Sequence, residues 1–179
     1  MSESIVRVLR QRIQTTHAWL LQVTDELTEE QLAWVPSPTA PPIRWHIWHT
    51  ARCADQVQAD FPRAAVAAPP HVADQREIWR TENLAARWEL DPSQLGPYEN
   101  GAEMDDHLAA TLRLPEKAVL LAYCRSVFEA FERAIDELRI EQFDEAIEGV
   151  GFELSHASRH LGMIEALRGA QQLHGTATV

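Results

Sequence analysis

His156 and His160 stand four residues apart in Ser155-His156-Ala157-Ser158-Arg159-His160, and a second pair lies far upstream in Trp45-His46-Ile47-Trp48-His49. An α-helix turns about 100° and rises about 1.5 Å per residue, so His156 and His160 leave one face roughly 6 Å apart. Two imidazoles so placed can chelate one ion, with His49 or His46 as the third ligand from another segment. Three neutral imidazoles leave at least one coordination position of a first-row metal open, which suits chemistry better than scaffolding. The HExxH pattern of zinc proteases is not met, because the residue after His156 is Ala157.

Other residues around these histidines bear on the same chemistry. Glu153 precedes His156 by three and shares its face, as a general base or a partner of a ligand, although such glutamates are more commonly solvated. Arg52 and Arg159 can hold an anionic substrate or serve as ordinary surface arginines. Cys53, one turn past His49, is a further ligand or a small buried hydrophobe. Trp45 and Trp48 either wall a substrate pocket or fill the core. His17 follows the seam residue Thr16 and reads as a boundary residue. His71, His107 and His174 have no partner in register.

The chain that must position these groups has 179 residues, suited to one domain spanning 1–179. At that length roughly 70% of the extended surface is buried, enough to fold without staples. A net charge of −11, from 16 Lys+Arg against 27 Asp+Glu, excludes a nucleic-acid backbone as partner. Two cysteines, Cys53 and Cys124, make no disulfide framework. The start is charged too early for a signal peptide, and the longest apolar run, 118–123, is too short for a bilayer. These features describe a soluble, reducing, cytoplasmic protein with no membrane partner.

Periodicity supplies the elements. Val6, Leu9, Ile13, Thr16, Leu20, Val23 and Leu27 alternate steps of three and four, the seam of a packed helix over 5–27. Thr28-Glu29-Glu30-Gln31 resembles a capping box that opens a short helix to about Trp34. Prolines 36, 38, 41 and 42 enforce an extended crossing before a second long helix, which runs to about Phe61. Residues 62–73 read as a loop, 74–89 and 105–113 as short helices, and Asp91-Pro92 and Gly96-Pro97 as turns. Pro115 suits the first turn of a third long helix carrying Leu120, Cys124, Val127, Phe131, Ala134 and Leu138. A fourth covers 150–168 and closes at Gly169, ahead of an extended tail over 175–179. The fold class is all-α, a four-helix bundle with a partly helical insertion between the second and third long helices.

Bundle cores build metal sites from facing helices, which is where the two histidine clusters fall. The helical wheel leaves the third ligand open. With Ile43, Ile47, Ala54, Val57 and Phe61 as the apolar face, His46 lies about 60° off its centre and His49 about 120° off.

The segments Ile43-Arg44-Trp45-His46-Ile47-Trp48-His49-Thr50-Ala51-Arg52-Cys53-Ala54-Asp55 and 156–169, HASRHLGMIEALRG, resemble the two signatures of the DinB/YfiT-like family. The likeness follows helix order over nearly the whole chain and is poor in 62–114. It implies a four-helix bundle, usually dimeric, holding a divalent ion, with zinc or nickel ahead of iron. The resemblance maps the ligands onto His49, His156 and His160, makes His46 a neighbour, and matches Arg52 and Asp55 to positions beside the ligand. Some relatives use low-molecular-weight thiols as co-substrates, in transfer or isomerisation. The same module precedes the catalytic domain of ergothioneine-forming sulfoxide synthases, which carry a glutamate where this chain has Gly162.

The expectation is a metal-dependent enzyme, a thiol transferase or hydrolase acting on a small molecule, assembled as a homodimer. Its rivals are a non-catalytic metal-binding or stress-related interaction bundle and a metal-free bundle with hydrogen-bonded core histidines.

Overall fold

A computed structural model of the chain describes residues 3–61 and 76–173. They form α1 (Glu3–Asp25), α2 (Glu29–Ala33), α3 (Ile43–Asp60), α4 (Ile78–Thr81), α5 (Leu84–Arg87), α6 (Asp106–Thr111), α7 (Lys117–Glu137) and α8 (Ile140–Ala170), with a 3₁₀ turn at Pro92–Gln94. No strand occurs among the described residues. Helix α1 packs against both α7 and α8, and α3 packs against the same two from the other side. The four long helices therefore close a ring around one core, an all-α fold with the packing pattern of a bundle.

The expected seams are buried. Val6, Ile13, Thr16, Leu20, Val23 and Leu27 of the first helical segment and Leu120, Cys124, Val127, Phe131, Ala134 and Leu138 of the third face the core. The capping box at Thr28 forms as expected, with Thr28 Oγ1 accepting from Gln31 N–H and Gln31 Oε1 from Thr28 N–H. Glu29 also caps α7, since Lys117 N–H donates to its Oε1 at 2.5 Å. Helix α7 starts at Lys117, so Pro115 precedes it rather than occupying its first turn.

Two elements depart from expectation for identifiable reasons. The helix expected over 74–89 is two single turns over its described part, broken at Asn83 with a left-handed φ of 50°. Trp79 and Leu84 are both buried, yet on a continuous helix five residues would set them about 140° apart. The break brings both inward. The fourth long helix begins ten residues earlier than expected, because Phe143, Ala146 and Val150 continue its buried stripe. Gly169 does not close it. Gln172 takes the left-handed position (φ 61°), with Gln172 N–H on Gly169 O and Leu173 N–H on Arg168 O, the bond pattern of a Schellman closure. The loop expected at 62–73 and the tail at 175–179 lie outside the described residues.

Glycines inside α8 divide by what they meet. A Cβ on Gly149 would stand 2.9 Å from Val57 Cγ1 and 3.1 Å from Phe61 Cε1, whereas one on Gly162 would meet nothing within 4 Å. Gly149 thus lets α3 and α8 approach closely, and Gly162 only weakens its helix. Gly162→Ala is expected to stabilise the protein by about 0.5–1 kcal/mol. Gly149→Ala is expected to destabilise it, as overpacking of roughly 1–3 kcal/mol outweighs the propensity gain. Urea unfolding of the two variants against the parent checks the opposite signs.

Candidate metal centre

Helices α3 and α8 lie side by side, and each contributes two histidines one turn apart or nearly so. His49 Nε2 stands 3.1 Å from His156 Nε2, and the His160 ring centroid lies 4.5 Å from that of His156 and 4.9 Å from that of His49. One ligand nitrogen from each of His49, His156 and His160 can be chosen so that all lie within 4.8 Å of one another. Nitrogens bound at 2.0–2.1 Å to a tetrahedral ion sit about 3.3 Å apart, so this cluster is a small side-chain adjustment away from ligating distances.

The hydrogen bonds orient these rings. His49 Nδ1 donates to Asn100 O at 2.5 Å, which leaves its Nε2 with a bare lone pair facing His156. A backbone carbonyl behind a ligand imidazole is a common way of fixing tautomer and direction. Trp45 stacks on His49 with centroids 4.6 Å apart. His46 Nδ1 lies 3.0 Å from His160 Nδ1 and supports that ring from outside the group of three. The wheel set His46 nearer the apolar centre than His49 by assuming one apolar face. Fourteen residues of α3 are buried, with the insertion covering the side opposite α7 and α8, so no single face exists to measure from.

Burial keeps the cluster uncharged. It depresses His46 and His156 to about 4 and His160 to about 2, aided by repulsion from the neighbouring imidazoles, and lowers His49 as well. At neutral pH all four rings are in the form that can ligate. Cys53 Sγ lies 4.0 Å from His49 Nδ1, the nitrogen committed to Asn100, and burial raises its thiol to about 12. It stands behind the His49 ring, outside the group of three.

The family model described as the DinB superfamily matches residues 12–164, which include all four of these histidines. The chain belongs to the DinB superfamily. No curated protein matches it. The buried three-histidine cluster in this DinB superfamily member is compatible with a bound metal ion. No helix among the described residues is long and apolar enough to cross a membrane.

Two of the expected site residues are buried more deeply than ordinary surface charges. Arg52 has no exposed side-chain surface: Nη1 donates to Asp55, Nη2 to Glu77, and Nε to Glu99 O, while the guanidinium lies 4.9 Å from the Trp79 ring centroid. It has no open face for a substrate anion. Arg159 is exposed, and its charge is close enough to His156 and His160 to help lower both. Glu153, for which surface solvation was the commoner expectation, is wholly buried. Its Oε1 is 3.1 Å from His17 Nε2, and its Oε2 has no hydrogen-bond partner among the described residues.

His17 is no boundary residue. It is buried, stacked on Phe128 at 4.1 Å, and its Nδ1 reaches Glu132 Oε1 at 3.3 Å. Burial opposes its charge, but the two carboxylates outweigh burial and raise its pKa. Burial raises Glu153, with His17 opposing. The sequence signal was available: Ile13, His17, Leu20 and Thr24 continue the α1 stripe at steps of four and three, and all are buried. Trp45 and Trp48 are both buried, Trp48 against Trp79. His107 lies on α6 with Nδ1 at Pro38 O, and His71 and His174 fall outside the described residues.

Proposed function

We propose that His49, His156 and His160 hold one divalent ion, zinc or nickel ahead of iron, and that the chain is a metal-dependent enzyme acting on a small molecule. The observation that carries this reading is the convergence of three neutral imidazoles while Cys53 contacts only the outer nitrogen of His49. Three protein ligands suit a site with an open position. An ion there would keep a thiol as its thiolate, or a water as hydroxide, at neutral pH.

The likeness to thiol-using relatives favours a low-molecular-weight thiol as co-substrate. Arg159, exposed beside the cluster, attracts the carboxylates such thiols carry against the acidic background of the chain. Glu153 takes a proton at its unpartnered Oε2, with His17 behind Oε1 holding the carboxylate in place. Phe152, half exposed and stacked on His156 at 5.2 Å, offers apolar surface to the electrophile. A cytoplasmic setting, in keeping with the two free cysteines, and a homodimer belong to the same reading.

The test is a panel of cellular thiols with a chromogenic electrophile. Zinc- or nickel-loaded parent should accelerate transfer from at least one thiol, His160→Ala should abolish the acceleration, and Glu153→Gln should lower it while retaining the metal. Equal rates in the parent and His160→Ala would sink the transferase reading.

A further inference from the structure

Three consecutive carbonyls are gripped by three side chains from one face of α3. Gln56 Nε2 donates to Tyr98 O at 2.7 Å, Arg52 Nε to Glu99 O at 2.9 Å, and His49 Nδ1 to Asn100 O at 2.5 Å. Positions 49, 52 and 56 form one helical stripe, with steps of three and four. In an extended segment successive carbonyls point to alternate sides. Here Glu99 (φ 51°) and Gly101 (φ 91°) are left-handed, and all three carbonyls turn toward the helix.

The segment is held from every side. Arg52 is itself fixed by Asp55 and Glu77. The Asn100 side chain donates to Gln56 Oε1 at 2.7 Å and accepts from Ala102 N–H at 2.9 Å. Glu99 takes the Trp79 indole N–H at 2.9 Å. Gly101 is pressed so tightly that a Cβ would lie 2.9 Å from both Trp45 Cζ2 and Trp48 Cζ3 and 3.2 Å from His49 Nδ1. Only glycine fits there.

We propose that Arg52 and Gln56 are positioning residues for His49. They hold the 98–101 strap, whose Asn100 carbonyl keeps the proton on His49 Nδ1 and the lone pair on Nε2 aimed at His156. They thereby set metal affinity without touching the ion. This rests on the metal-site reading above. The proposal also explains why an arginine stands at position 52. Its rigid fork reaches a carbonyl and two carboxylates at once, which the single ammonium of a lysine does not reproduce.

The decisive variant is Gln56→Ala, because Gln56 is only half-buried and its loss leaves the core intact. Zinc affinity, read by competition with a chromophoric chelator, should fall by up to about 10–100-fold, the cost of losing the carbonyl that bonds a ligand directly. Arg52→Lys should do the same. In a His49→Ala background neither change should weaken zinc binding further, since the residue through which they act is gone. Nitrogen NMR of the metal-free protein should show one His49 tautomer, protonated at Nδ1, in the parent and a mixture in Gln56→Ala.

An unchanged tautomer together with unchanged zinc affinity in Gln56→Ala overturns the proposal, as does an equal loss of affinity with and without His49. If the parent binds no zinc, the metal reading fails, and the tautomer comparison alone then decides the strap: a mixture in Gln56→Ala upholds it and a single tautomer overturns it.

Discussion

Replacing His160 by alanine should lower zinc affinity by more than the ~10–100-fold that outer-shell partners cost, whereas His46→Ala should stay within that range. His160 is the ring on which the cluster converges, with centroids 4.5 Å from His156, 4.9 Å from His49 and 5.2 Å from His46. Its loss removes one of the three proposed ligands and leaves His46 Nδ1 facing a void. His49→Ala and His156→Ala should match it. His46→Ala removes only the support behind His160, leaving His49, His156 and His160 all present. Chelator competition on the four variants gives the order directly. A greater loss in His46→Ala than in His49→Ala would make His46 the third ligand.

The second large effect is on acid stability. His46 and His156 titrate near 4 in the folded chain, His160 near 2, and His49 is lowered too. An unfolded histidine titrates near 6.5. Between those values the unfolded chain binds protons that the folded cluster refuses, so stability falls as pH drops from about 6.5 toward 4. At 1.36 kcal/mol per pKa unit, His46 and His156 would each contribute up to roughly 3 kcal/mol to that loss. His17 has the opposite sign: its raised pKa gives stability that is complete below 6.5 and fades as pH rises through its folded value.

Metal-free protein should therefore unfold at much lower urea concentration at pH 4.5 than at pH 7. The depressed values also delay proton competition for an ion, so release should come below the pH of about 6 expected for ordinary imidazoles. A urea midpoint that rises on acidification would contradict the buried neutral cluster.

The first and third long helices were legible because a three–four stripe runs their length, and the box at Thr28 because its hydrogen bonds are local. The short helices of the insertion were less so. The break at Asn83 serves Trp79 and Leu84, whose shared inward direction is a tertiary demand with no trace in periodicity. The first ten residues of α8 were missed although Gly149, just ahead of the expected start, is a helix residue that Val57 and Phe61 across the interface require.

Within the site, the pair His156 and His160 follows from helical spacing alone. The grouping of His49 rather than His46 with that pair does not, because fourteen residues of α3 are buried and the carbonyl that turns the His49 ring comes from Asn100, fifty-one residues away. The surroundings of Arg52 and Glu153 were hidden for the same reason. A single sequence does not reveal that an isolated charge meets Asp55 and Glu77, or His17, inside the core.

The central claim is that three histidines hold one ion with a position left open. The most direct measurement is elemental analysis of protein purified without a metal-affinity column, paired with the visible spectrum of a cobalt-substituted form. The expected result is one divalent ion per chain and a cobalt spectrum of nitrogen and oxygen ligation that shifts when a small thiol is added. A chain that binds no divalent ion after metal exposure, or a cobalt spectrum showing thiolate ligation from Cys53 before any thiol is added, would contradict it.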